Sequence, residues 1–292
     1  MKRLAFAAAT GIQPYLGMLD RLVKEDRPYQ YTYVPSRQYS ALSDLQERNR
    51  VYWYEIIERA HCGALVAIVR LDRWLSSMMM GAEAENFLAF AASFRGLLES
   101  TADARFALGD VPEGLAATFV HAREAVAGKA RLMLLAPDLE NDLIHFSHGR
   151  RVGKNESAPE VHAAKTMREY LGTLQGASTG PLFACYEELC NITHPAAESL
   201  LYLLEKRSDG ATVFAARPDE TAIQDLCNRG GAVVQLCVCE SLVYPIIILR
   251  LLNQLGLPEL QTPIVEEVSL DEVPLWREIE ATLKSILSGT IH

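Results

Sequence analysis

The sequence predicts a mostly all-α protein, a bundle of long antiparallel helices carrying one small β-hairpin. Three observations predict it. Apolar residues recur at spacings of three and four along most of the 292 residues, the period of a helix face and not of a strand. The breaks between these runs are short and marked by glycine and proline. One stretch, 199–215, instead has two β-prone runs around a turn.

Residues 1–24 read as a short helix with ragged ends, and 25–42 as an aromatic, proline-marked connector. Ser43 reads as the cap of a long helix, with Gln46 placed for a capping box. Trp53, Ile57, Ala60, Ala64, Ile68, Leu71 and Leu75 form its apolar stripe, and Gly81 is expected to end it. The next helix is expected over 82–108, with Phe87, Phe90, Phe94, Leu97 and Thr101 inward. A helix at 112–134 follows, then a locally basic loop at 145–158, a helix from Pro159 to Leu174, and a turn at 176–180. Pro181 opens a helix that closes at His194, because Pro195 disfavours the α conformation before it. Ser208-Asp209-Gly210 joins the runs Leu200–Leu204 and Ala211–Ala215 into the hairpin. An apolar helix over 220–255 should be weakened or kinked at Gly230, Gly231 and Pro245. A linker at 257–268 leads to an amphipathic helix at 271–287 bearing Trp276, Ile279, Leu283 and Ile286. This divides the chain into an N-terminal helix and connector (1–42), a bundle core (43–256), and a linker with a C-terminal helix packed on the core (257–292).

With 49% hydrophobic and 22% charged residues, the chain has the material for a core and is not of disordered type. A net charge of −9 argues against general nucleic-acid binding, which needs clustered Lys and Arg to release counterions. The six cysteines form no CxxC and lie mostly in apolar helical runs, as expected of reduced core thiols in a cytoplasmic protein. The apolar run at the N-terminus is short for a signal peptide. The stretch 232–252 contains Gln235, Glu240 and Arg250 and reads as a buried helix, so no membrane partner is expected. No cofactor motif is present, whether Walker loop, GxGxxG, GxSxG or HExxH. Glu58 and His61 have the Glu-x-x-His spacing of di-iron bundles, but no second copy follows, and no metal is expected.

Three groups could carry chemistry. Arg95, Glu99 and Asp103 are four apart and share one helix face; the small Gly96 beside them invites another helix. Tyr186, Cys190 and His194 share a second face, and His194 ends its helix, where the dipole favours a protonated imidazole. His145, His148, Arg150, Arg151 and Lys154, with Ser147, are the densest local positive charge and form a candidate anion site. The bland reading of each is an ion-pair row, a C-capping histidine and a solvated loop.

The segments Phe94-Arg-Gly-Leu-Leu-Glu99 and Tyr186-Glu-Glu-Leu-Cys-Asn-Ile-Thr-His-Pro195 resemble those of bacterial helical proteins related to the HEPN-like group. So do Ile144-His-Phe-Ser-His-Gly-Arg-Arg151 and Ala158-Pro-Glu-Val-His-Ala-Ala-Lys165. The resemblance covers roughly 45–205. It implies a bundle, commonly dimeric, in which Arg95 and Glu99 face Tyr186 and His194, and it implies either a binding or regulatory module or a ribonuclease. The nuclease signature, an arginine four to six residues before a histidine, is absent at all seven histidines. The expected function is therefore a binding or regulatory domain in a bacterial defence or stress setting. The alternatives are a metal-independent ribonuclease using His194 and Arg95, and a nucleotide or small-anion sensor using the 145–154 loop.

Overall fold

The computed structural model describes residues 6–8, 10–24, 29–174, 179–195 and 197–288. Within them lie eleven α-helices and one two-stranded antiparallel hairpin, so the chain is mostly all-α. The helices are α1 (Gln13–Lys24), α2 (Ser36–Ala41), α3 (Leu45–Glu83), α4 (Phe87–Leu108), α5 (Val111–Val126), α6 (Pro137–His148), α7 (Met167–Thr173), α8 (Thr179–Thr193), α9 (Glu198–Leu201), α10 (Pro218–Gln254) and α11 (Pro274–Leu287). Strands β1 (Leu204–Lys206) and β2 (Thr212–Phe214) pair with Glu205 opposite Val213. Short 3₁₀ turns occupy Glu160–His162, Pro258–Leu260 and Pro263–Glu267.

The chain clusters into two compact units. One comprises 1–24, 68–105 and 166–242; the other comprises 25–67, 106–165 and 243–292. Helices α3, α4 and α10 contribute residues to both.

In the first unit the inward faces are those of the sequence stripes. Ile68, Leu71 and Leu75 of α3 and Phe87, Phe90, Phe94 and Leu97 of α4 are all buried. Glycines set how closely the helices approach. Gly81 lies inside α3 instead of ending it, because an added Cβ would sit 2.8 Å from the backbone nitrogen of Phe90. At Gly96 the Trp74 ring would lie 2.6 Å from a Cβ, and at Gly230 the Phe94 ring 2.7 Å. Gly230 therefore seats α10 on α4 and does not interrupt it, and α10 runs unbroken through Gly231 and Pro245. The chain reverses between α3 and α4 through Glu85 at φ 49°, a left-handed conformation that only glycine adopts freely. The N-terminus of α4 is held by Asp219, whose Oδ1 accepts the Phe87 amide at 2.9 Å.

In the second unit Trp53, Ile57, Ala60 and Ala64 of α3 are buried, as are Ile246–Leu249 of α10. The cap of α3 is Asp44 and not Ser43: Asp44 Oδ1 accepts the Gln46 amide at 3.0 Å. Helix α11 buries Trp276, Ile279 and Leu283 and packs on α5, which also carries α6. Helix α5 ends at Val126, short of the expected 134; the irregular chain beyond it is held by Asn49, which donates to the Leu132 carbonyl at 2.9 Å, and by the Trp53 indole, which donates to that of Leu134 at 3.1 Å.

Other boundaries moved for local reasons. The basic stretch begins as helix, since α6 extends to His148. The helix expected from Pro159 starts at Met167, where Thr166 and Glu169 form a reciprocal capping box. Of the turn expected at 176–180, residues 176–178 lie outside those described. By length and composition α10 could cross a membrane, and 61% of its apolar window is buried within the fold.

Candidate functional site

Helices α4 and α8 present the two expected side-chain rows to each other. Arg95 Nε donates to Glu99 Oε1 at 2.8 Å, one turn along α4. Arg95 Nη1 reaches α8 twice, donating to Thr193 Oγ1 and to His194 Nε2, both at 3.2 Å. The Tyr186 hydroxyl donates to the same Glu99 oxygen at 3.1 Å, and the guanidinium lies 5.9 Å from the Tyr186 ring centre. Arg95, Glu99, Tyr186 and His194 thus form one connected cluster. Asp103 does not join it; that carboxylate takes Arg70 of α3 at 2.7 Å.

The sequence allows this because three-and-four spacing stacks Arg95 over Glu99, and Tyr186 and His194 along one edge of α8. Helix α8 stops at Thr193 ahead of Pro195, which brings His194 to the helix end. Thr193 Oγ1, itself donating back to the Leu189 carbonyl at 2.7 Å, is a member that the sequence did not single out.

Protonation follows from the donors. A guanidinium only donates, so in this contact His194 Nε2 is the acceptor. Burial, the Cys190 thiol and the Glu99 carboxylate push the Tyr186 phenol far above its usual value, which keeps it a neutral donor. Burial opposes the charge on Arg95 and Glu99 more than offsets it, so the guanidinium stays ionised. Arg95 and Glu99 are a quarter to a third exposed, which leaves the cluster open to solvent on one side. A surface cleft of about 410 Å³ lies beside it, lined by Arg168, Leu171, Phe183, Tyr186 and Glu187; of the four clustered residues only Tyr186 borders it.

The basic stretch does not converge. His145 is buried at the end of α6, where Nδ1 donates to the Val161 carbonyl at 2.8 Å and the ring packs 5.1 Å from Phe106. His148 is exposed and stacks on His162 at 5.3 Å. Arg150 grips Glu156 with two hydrogen bonds, of 2.9 and 2.5 Å, and that pairing, helped by the Gly153 amide, holds the Glu156 carboxyl down at about 2. Backbone bonds between Arg150 and both His162 and Ala164 close the loop on itself. Arg151 and Lys154 are exposed to solvent.

Glu58 and His61 do not combine as metal ligands. The Glu58 carboxylate faces the Thr32 amide at 3.3 Å, while His61 is bound by the Tyr31 hydroxyl at 2.8 Å and by Thr262 Oγ1 at 3.1 Å. Tyr29 also contacts Thr262, and Tyr54 hydrogen-bonds Glu259. The connector and the 257–268 segment thus meet across α3 through polar groups, which hydropathy does not reveal.

Family models, curated proteins and solved structures include no match to this chain.

Proposed function

We propose that this chain is a helical binding or regulatory domain of HEPN-like type, a cytoplasmic homodimer, in which the Arg95–Glu99–Tyr186–His194 cluster fixes α4 against α8 and does not cleave RNA. One observation carries the choice against the ribonuclease reading: His194 Nε2 accepts from Arg95. A base that takes a proton from a ribose hydroxyl needs that lone pair free. A cation that stabilises a phosphorane needs its charge unmatched, whereas Arg95 already faces Glu99 at 2.8 Å. Glu187, on the helix that ends just before His194, adds charge that repels a phosphate backbone, whereas Glu188 is paired with Arg229 at 2.6 Å.

The test is incubation of single-stranded RNA with the purified full chain in EDTA, beside the His194→Ala and Arg95→Ala variants. The expected result is intact RNA in all three. RNA loss with the parent protein that disappears in His194→Ala, at equal thermal stability, would reinstate the nuclease. Arg95→Ala should instead lower stability, by about 1–2 kcal/mol, because it strands Glu99 and Tyr186 while solvent still screens them.

A further inference from the structure

A second cleft, in the unit formed by 25–67, 106–165 and 243–292, is built as a ligand site and shares no residue with the Arg95 cluster. Its volume is about 590 Å³, within the range of small-molecule pockets. Helix α3 supplies Arg59, Cys62, Gly63 and Val66, one face at positions i, i+3, i+4 and i+7. Helix α6 supplies Leu143, Phe146, Ser147 and His148, and Tyr33 of the connector closes one end. The floor is apolar. Gly63 makes it deep: a Cβ there would already touch Phe146 and Leu108 at 3.5 Å, so any larger side chain would enter the cleft. Val66 lines the cleft and is 42% exposed; several other apolar residues of α3 are exposed too, among them Leu45 and Val69.

The polar groups stand at the rim. Arg59 lies over the Tyr33 ring with its guanidinium carbon 4.4 Å from the centroid. Among the described residues it has no ion pair and no hydrogen bond, in a chain whose net charge is −9. A guanidinium over an aromatic face leaves its N–H edge free, and that edge matches a carboxylate in fork geometry. Ser147 donates to the Leu143 carbonyl at 2.9 Å and lies 2.7 Å from His148 Nδ1, which ties these two rim residues together. Burial chiefly raises the Tyr33 phenol, with smaller contributions from Glu58 and Glu55 that Arg59 opposes, so Tyr33 is a neutral part of the wall. Burial pushes the Cys62 thiol up as well, which leaves that side chain a neutral part of the wall.

We propose that this cleft binds an amphipathic monoanion, a flat apolar body bearing one carboxylate, with the carboxylate on Arg59 and the body over Gly63, Val66 and Phe146. The inference goes beyond the reading of the Arg95 cluster and does not rest on it.

The experiment is a calorimetric titration of the full chain with 2-naphthoate, beside its neutral isostere 2-naphthylmethanol. We expect saturable binding of one naphthoate per chain and binding of the alcohol weaker by about tenfold or more. Arg59→Gln should reduce naphthoate affinity to that of the alcohol. Val66→Trp, a change at an exposed position that leaves folding intact, should block both ligands, while Arg95→Ala should leave both unchanged. No saturable naphthoate binding up to about 1 mM, equal affinity for acid and alcohol, or unaltered affinity in Arg59→Gln or Val66→Trp would each overturn the proposal.

Discussion

A charged side chain that loses its hydration must be compensated by partners or by a change of protonation, and Asp142 shows the second outcome. It sits on α6, where burial, helped by the charges of Asp110 and Asp138, pushes its carboxyl from 3.8 up to about 6. The folded value exceeds the unfolded one, so the group favours the fold only while protonated, and that contribution is lost as pH rises through about 6. At pH 8 the residue is ionised and costs stability. Asp142→Asn, which keeps the shape and removes the charge, is therefore expected to stabilise the protein by about 1–2 kcal/mol at pH 8, after allowance for its partial exposure. Near pH 4 the gain should vanish. Urea denaturation of both proteins at the two pH values checks this, and equal shifts at both would contradict it. Nothing in the local sequence separates Asp142 from the many acidic residues on helix surfaces; its cost comes from neighbours brought close by folding.

Close approach governs the helices. Gly81 and Gly96 both sit where another element touches α3 or α4, but the obstacles differ. At Gly81 the nearest atoms are the Phe90 backbone, which cannot rotate away; at Gly96 they belong to the Trp74 ring, a side chain 36% exposed. Gly81→Ala should therefore cost on the order of 2–3 kcal/mol and Gly96→Ala clearly less, because overpacking against backbone forces a helix to shift. Thermal denaturation of the two variants decides the order, and the reverse order would show that Trp74 is the more rigid. The stripes Trp53–Leu75 and Phe87–Thr101 were legible because a 3.6-residue period marks them directly. The meaning of Gly81 and Gly230 was not, because a glycine reads alike as a stop, a kink or a contact until its neighbour is known. The meeting of Arg95 with His194 was legible as far as shared helix faces go. The role of His194 Nε2 as acceptor was not, because it depends on which atom of Arg95 arrives.

At the scale of a whole unit, opposing titrations share one core. His61 is fully buried, and burial pushes its pKa from 6.5 down to about 4. A folded value below the unfolded one means that the unfolded chain takes the proton first, so stability is lost as pH falls from about 6.5 towards 4, by up to about 3 kcal/mol. Asp142, in the same unit, gains stability over nearly the same window. The parent protein should thus show a shallow stability profile between pH 7 and 4. Asp142→Asn should be more stable at the top of that range and steeply acid-labile across it. Chemical denaturation at half-unit steps of pH measures both curves, and parallel curves would show that the two groups do not offset each other.

By itself the sequence determined that the chain is a set of amphipathic helices with one hairpin, which faces turn inward, and which polar residues share a helix edge. These follow from local periodicity and from the backbone limits of proline and glycine. Tertiary structure alone decided that Arg95 is spent on Glu99 and His194, that the basic stretch at 145–154 disperses, and that Arg59, which sits inside the Glu58–His61 spacing without being one of its two candidate ligands, stands over a cleft without an ion pair. Charge pairing and cavity shape depend on distances between residues remote in the chain, and only packing sets those.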